Sequence, residues 1–145
     1  MERSPTLADK ALAHAAAQAA ETDPVLRELD AVLGAEPLYQ QACAKLDGLD
    51  AEVTSGEVLL RMLLVKHLYD WSEQQIVEQV EDSLVLRWFC RLGLQLAPAI
   101  SSVRQAAGHV SVAELEALVK RVEQASERAQ KSEGRLRPTY RQRWR

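Results

Sequence analysis

In the middle of the chain, apolar residues recur three and four positions apart, a spacing that predicts helices. Between Ser55 and Leu92, one such stripe runs through Val58, Leu59, Met62, Leu63, Val65, Leu68 and Trp71, and Leu60 and Leu64 widen it until little of the helix is polar. A helix this apolar belongs at the centre of a core. Asp70, Trp71 and Ser72 interrupt the pattern, and Ser72 with Gln75 has the spacing of a capping box, in which hydroxyl and amide satisfy free backbone donors. The helix that follows turns Ile76, Val77 and Val80 inward and Glu73, Gln74, Glu78 and Glu81 outward, and ends at Asp82 and Ser83. Ser83 can cap a third helix from Leu84 to about Leu92, which Gly93 stops by adopting the left-handed conformation. Arg87 and Arg91, four positions apart, share its outer face.

The flanks carry the same kind of punctuation. Ser4-Pro5 precedes an alanine-rich helix from Leu7 to Glu21, whose low bulk predicts peripheral packing. Thr22-Asp23-Pro24 opens a second helix with Val25, Leu26, Leu29, Val32 and Leu33 on its apolar face, stopped by Gly34. Glu36-Pro37 opens a third, with Leu38, Tyr39, Ala42, Cys43 and Leu46 inward, ending near Asp47-Gly48. Leu49 to Gly56 reads as a loop, and Leu94 to Ser102, which contains Pro98, as a connector. Ser111-Val112-Ala113-Glu114 is a second capping-box pattern, opening a long helix to about residue 131 with Leu115, Leu118, Val119, Val122, Ala125 and Ala129 as its stripe. Its mixed charges, Glu114, Glu116, Lys120, Arg121, Glu123, Glu127 and Arg128, are expected to be a solvated face, with dimerisation through the stripe as the alternative.

No segment alternates with the period of a strand. The expected fold is therefore all-α: a compact multi-helix bundle with a helix-turn-helix-like core and a long C-terminal helix. The expected organisation is N-terminal helices over 1–48, a core over 49–132 and a tail over 133–145. Helix, tight turn, short helix, turn and a helix with two arginines outlines a helix-turn-helix, whose last helix can enter a DNA groove. On pattern alone, a bundle with solvated arginines is the simpler reading, since periodicity identifies helices and not ligands.

Composition narrows the classes. The 145 residues suit one domain. The 47% hydrophobic content comes largely from Ala, Leu and Val, and no apolar run approaches the roughly 18 residues that span a bilayer. His14, Gln18 and Glu21 make the N-terminal stretch too polar for a signal peptide, so a cytoplasmic location is expected. Cys43 and Cys90 stand far apart, without a CxxC, and the three histidines, His14, His67 and His109, are scattered; reduced thiols are expected, not a zinc site or disulfide. Residues 1–130 hold 12 Lys+Arg against 20 Asp+Glu, a net charge of −8, whereas residues 131–145 carry a net +5. The acidic body argues against a generic polyanion binder, and the tail is a different kind of sequence that is expected to be disordered.

More specific is the order of Glu57-Val58-Leu59-Leu60-Arg61, Leu68-Tyr69-Asp70-Trp71-Ser72 and, above all, Asp82-Ser83-Leu84-Val85-Leu86-Arg87-Trp88-Phe89-Cys90-Arg91-Leu92. It resembles the N-terminal helical domain of bacterial insertion-sequence DDE transposases, over roughly Val32 to Arg137. In that family the helical domain precedes an RNase H-like domain whose Asp, Asp and Glu residues hold two divalent metals, Mg2+, and cut DNA. The resemblance implies binding to the terminal inverted repeats of the element, with Arg87 and Arg91 as the main candidates for DNA contact and Arg61, Lys66 and Arg104 beside them. Trp88 and Phe89 are expected in the core. The arginine-rich tail around Tyr140 and Trp144 can add salt-dependent phosphate affinity.

The sequence departs from the family pattern in three places. Ala51 to Gly56 stands where a Gly-Arg-rich segment is common and lacks the basic residue. Pro98-Ala99-Ile100-Ser101-Ser102-Val103-Arg104 has Ala99 where aspartate is usual, and Ser101 is expected to cap the next helix instead, at about 1 kcal/mol. After Gly134-Arg135-Leu136-Arg137 the family continues with valine, the first catalytic aspartate and two threonines, whereas this chain reads Pro138-Thr139-Tyr140-Arg141. The expectation is a reading frame truncated by a frameshift or early stop, testable in the downstream genomic DNA. Asp47, Asp50, Glu52 and Glu57 are expected to be surface carboxylates, not metal ligands. No catalytic residue, cofactor or small-molecule substrate is therefore expected in this chain. Partners are expected to be DNA and, through self-association, another copy or a full-length transposase. The alternative function is an interaction module that inhibits full-length transposase, or a remnant without a selected role.

Overall fold

The computed structural model describes residues 6–21, 23–49 and 55–133. Within them the chain is wholly helical, as α1 (Leu7–Ala20), α2 (Pro24–Leu33), α3 (Pro37–Leu46), α4 (Gly56–Tyr69), α5 (Glu73–Asp82), α6 (Leu84–Phe89), α7 (Ile100–Ala107) and α8 (Val112–Glu133). The loop carboxylates Asp50 and Glu52 and the basic tail beyond Glu133 lie outside the described residues.

The helices begin where side chains can satisfy their first amides. Asp23 Oδ1 accepts from the Leu26 amide, Ser55 Oγ from Val58, Ser83 Oγ from Leu86 and Ser111 Oγ from Glu114. At α5 the capping box is complete: the Gln75 amide donates to Ser72 Oγ at 3.1 Å and the Ser72 amide to Gln75 Oε1 at 2.8 Å.

α3, which opens on Pro37, has no side-chain cap at Glu36, and neither has α7. The cap position of α7 is Ala99, in extended backbone with no side-chain hydrogen bond, and Ser101 lies inside the helix. The expectation that Ser101 caps α7 is thus corrected, because the cap position lies two residues earlier, at Ala99, and the helix starts at Ile100. Ala99→Asp should stabilise the fold by about 1 kcal/mol, read as a higher urea midpoint at unchanged slope; an unchanged midpoint would mean that the amides of α7 are already satisfied.

α4 is the hub, with Gly56, Val58 to Val65 and Leu68 all buried. α3, α5, α7 and α8 pack against it. Leu26, Leu29 and Leu33 of α2, Tyr39 and Leu46 of α3, Phe89 of α6, Val103 of α7 and Leu115 to Val122 of α8 belong to the same core cluster as α4. α2 and α3 therefore share one apolar interior with the central stretch.

α8 crosses α2 and α4. Leu115, Leu118, Val119, Val122 and Ser126 are buried, so these four apolar positions of the stripe pack inside the chain. Two residues of the expected solvated face, Glu114 and Glu116, and the buried Ser126 also reach neighbouring helices. Lys45 Nζ meets Glu114 Oε2 at 2.7 Å, His67 Nε2 meets Glu116 Oε1 at 2.7 Å, and Ser126 Oγ donates to Glu28 Oε1 at 2.8 Å. These contacts tie α8 to α3, α4 and α2 in turn.

Candidate nucleic-acid interface

The unit from α4 to α6 follows the order read from the sequence: helix, three-residue turn, helix, a one-residue link at Ser83 and a short helix. Asp70, at φ 60°, closes α4, with the Trp71 amide donating to the Lys66 carbonyl and the Asp70 amide to that of His67. These are the paired bonds of a Schellman closure. Tyr69 and Trp71 stack on each other across this turn, with ring centroids 4.3 Å apart.

α6 is shorter than expected. It ends at Phe89, and the left-handed residue that closes it is Arg91, at φ 63°, with the Leu92 amide donating to the Arg87 carbonyl and the Arg91 amide to that of Trp88. Gly93 is also left-handed, at φ 59°, but lies in the loop beyond. Leu92 is fully buried, and drawing it into the core turns the chain at Arg91, two residues before Gly93 would have stopped it.

This shifts what the two candidate arginines do. Arg87 is half-buried, and its Nη1 donates to the carbonyls of Gly93 and Gln95, both at 3.0 Å, while Nε reaches the Glu81 carbonyl at 3.4 Å. It clamps the α6–α7 loop against the end of α5. Arg91 is more open; it spreads over the Trp88 ring and donates from Nη2 to Asp30 Oδ1 at 2.6 Å.

Arg61 is placed where a DNA contact is excluded in this structure, since only 1% of it is exposed. Its Nη1 donates to Asp30 Oδ1 at 2.6 Å and to the Phe89 carbonyl at 2.9 Å, and its Nε donates to the Tyr39 hydroxyl at 2.8 Å. Tyr39 in turn donates to Glu57 Oε2. The guanidinium carbon lies 5.3 Å from the Tyr39 ring centroid and 5.0 Å from that of Phe89. Arg61 is thus corrected from a surface cation to a buried cross-link of α2, α3, α4 and α6. A charge inside an apolar core needs hydrogen-bond partners, and Nε and Nη1 find them on three other helices.

Burial by itself would weaken the Arg61 charge, but the hydrogen bonds to Tyr39 and Asp30 and the Asp30 carboxylate raise its pKa above the ordinary value. Burial, followed by the bond to Glu57, raises the Tyr39 pKa, so the phenol stays a donor. Burial pushes the Cys43 thiol to about 11 and the Cys90 thiol to about 12, and both remain protonated.

Lys66 is half-buried on α4 and Arg104 exposed on α7, and neither has an ion-pair partner among the described residues. The structure therefore divides the five candidates. Lys66, Arg91 and Arg104 present charge at the surface, Arg87 braces a loop, and Arg61 belongs to the core. Sequence reading missed Asp30 and Tyr39, which lie 31 and 22 positions from Arg61 and whose role only packing reveals.

Two carboxylates of the loop group have other duties. Asp47 Oδ1 accepts from the Gly56 amide at 2.7 Å, and Glu57 accepts from Tyr39. Among the described residues, no three His, Cys, Asp or Glu side chains gather in a way that could hold a metal ion, and no helix is long and apolar enough to cross a membrane.

The fold and this surface define an all-helical domain with a central buried helix and a tri-helical unit edged by a few exposed cations. The family described as Transposase domain (DUF772) matches residues 14–106, and the chain belongs to that family. The membership ties the chain to transposition. No curated protein and no solved structure matches the chain.

Proposed function

We propose that this chain is a DNA-binding domain in transposition, recognising the terminal inverted repeats of its element. The observation that carries the reading is that the whole α4–α5–α6 unit falls inside the transposase-domain match. Helix, tight turn, helix and short helix is the order with which helix-turn-helix proteins address a major groove. Arg91 stands at the end of the third helix, while Lys66 and Arg104 supply phosphate-directed charge from α4 and α7. The body is acidic overall, so affinity has to come from a local patch and not from net charge. Cleavage and strand transfer would call for metal-binding carboxylates supplied from elsewhere.

The test is fluorescence anisotropy with a labelled inverted-repeat duplex and a scrambled one, from roughly 50 to 200 mM salt. The chain ending at Arg137 should keep the preference of the full 145 residues. Arg104→Ala and Lys66→Ala should each weaken binding and reduce the salt slope by about 1, as expected for loss of one phosphate contact. Equal binding to both duplexes, lost with the residues after Arg137, would show only a polycationic tail and defeat the reading.

A further inference from the structure

The first helix bears directly on the proposed reading helix. α1 packs along α6, which α5 and α2 flank on other sides. Of the residues of α6, only Leu84 is exposed; Val85, Arg87 and Trp88 are partly covered and Leu86 and Phe89 buried. A helix with its side chains is about 10–12 Å across and the major groove about 12 Å wide, so a second helix laid against the first keeps it out of the groove.

The cover itself is lightly held. Eight of the 14 residues of α1 are alanine, and none of those α1 side chains that are described belongs to the buried core. Leu7 is 84% exposed, and Leu12 and Ala15 are only partly covered. α1 is joined to α2 through Glu21, Thr22 and Asp23, and α2 is anchored independently by Leu26, Leu29 and Leu33. Lifting α1 would remove little apolar area from the interior while uncovering one flank of α6.

We propose that α1 is a displaceable cover on α6, and that DNA recognition by the α4–α5–α6 unit requires its release. The inference rests on the DNA-binding reading above. A protein whose competent state is a minor fraction shows an affinity reduced by that fraction, so loosening the cover raises apparent affinity without adding a contact.

The experiment uses full-length Leu12→Asp and Ala15→Pro. The first replaces a large, partly covered apolar side chain of α1 with a charge, and the second breaks the helix from inside. Amide hydrogen exchange is followed on the free proteins, and affinity for the inverted-repeat duplex is measured in parallel. Faster exchange in α1 and α6, unchanged protection of α4, and DNA binding about tenfold tighter than the parent are the expected results. Release of α1 with unchanged or weaker binding overturns the cover while leaving the DNA reading standing. Release of α1 with no binding by either parent or variants overturns both. Unchanged exchange in α6 when α1 has melted shows that α1 protects nothing, and overturns the cover by itself.

Discussion

Arg61→Ala should destabilise the fold by about 3–5 kcal/mol, the cost of removing one partner from a buried, hydrogen-bonded ion pair. The substitution strips donors from the Asp30 carboxylate, the Tyr39 hydroxyl and the Phe89 carbonyl together, and leaves a void between two aromatic rings. Arg61→Met should cost less, because it refills the space between the rings without replacing the donors. Asp30→Asn should cost less again, since the amide oxygen still accepts. Urea unfolding of the three variants, with a double-mutant cycle over Asp30 and Arg61, measures each contribution. A loss below about 1 kcal/mol for Arg61→Ala would mean that the guanidinium is solvated and the network does not hold the helices.

Gly56→Ala should destabilise by roughly 3 kcal/mol, against the usual sign for replacing glycine in a helix. A Cβ there would lie 2.6 Å from Asp47 Oδ1 and 2.8 Å from the Asp47 amide nitrogen, and would also press on the Cys43 carbonyl. Two of these three atoms are backbone at the end of α3 and cannot swing aside. The third is the carboxylate that caps α4, so relieving the clash also removes a cap. Gly34→Ala is the matched control. Its φ is −62° and a Cβ there meets nothing within 4 Å, so it should stabilise by about 0.4–1 kcal/mol. Thermal melts of both variants decide the matter: if Gly56→Ala also stabilises, α3 and α4 are not in close contact.

Much of the helical order was legible because it is written in local chemistry. Ser72 and Gln75, Asp23 before Pro24, and Ser83 before Leu84 each place a helix start through contacts only three residues apart. What failed depended on contacts between distant residues. Gly93 looked like the stop of α6, yet burial of Leu92 makes Arg91 take the left-handed turn. Ser101 looked like the cap of α7, yet the chain leaves Pro98 already set for a helix from Ile100. Arg61 was read with the other cations, although its place in the middle of the apolar run from Val58 to Val65 was itself a signal. A charge inside such a run is more often a satisfied interior group than a free one. Its partners could not be named in advance, because Asp30, Tyr39 and Phe89 come from three other helices.

The fastening of α8 sets when this protein can fold during its own synthesis. The transposase-domain match ends at residue 106, inside α7, but the interior goes on through Val110, Leu115, Leu118, Val119 and Val122 to Ser126. A nascent chain that has reached only Ala106 leaves the faces of α2 and α4 that α8 covers open to water, with Glu28 and His67 lacking their α8 partners. Final closure therefore waits for about one further helix to leave the ribosome, and until then the polypeptide carries the exposed apolar surface that chaperones recognise.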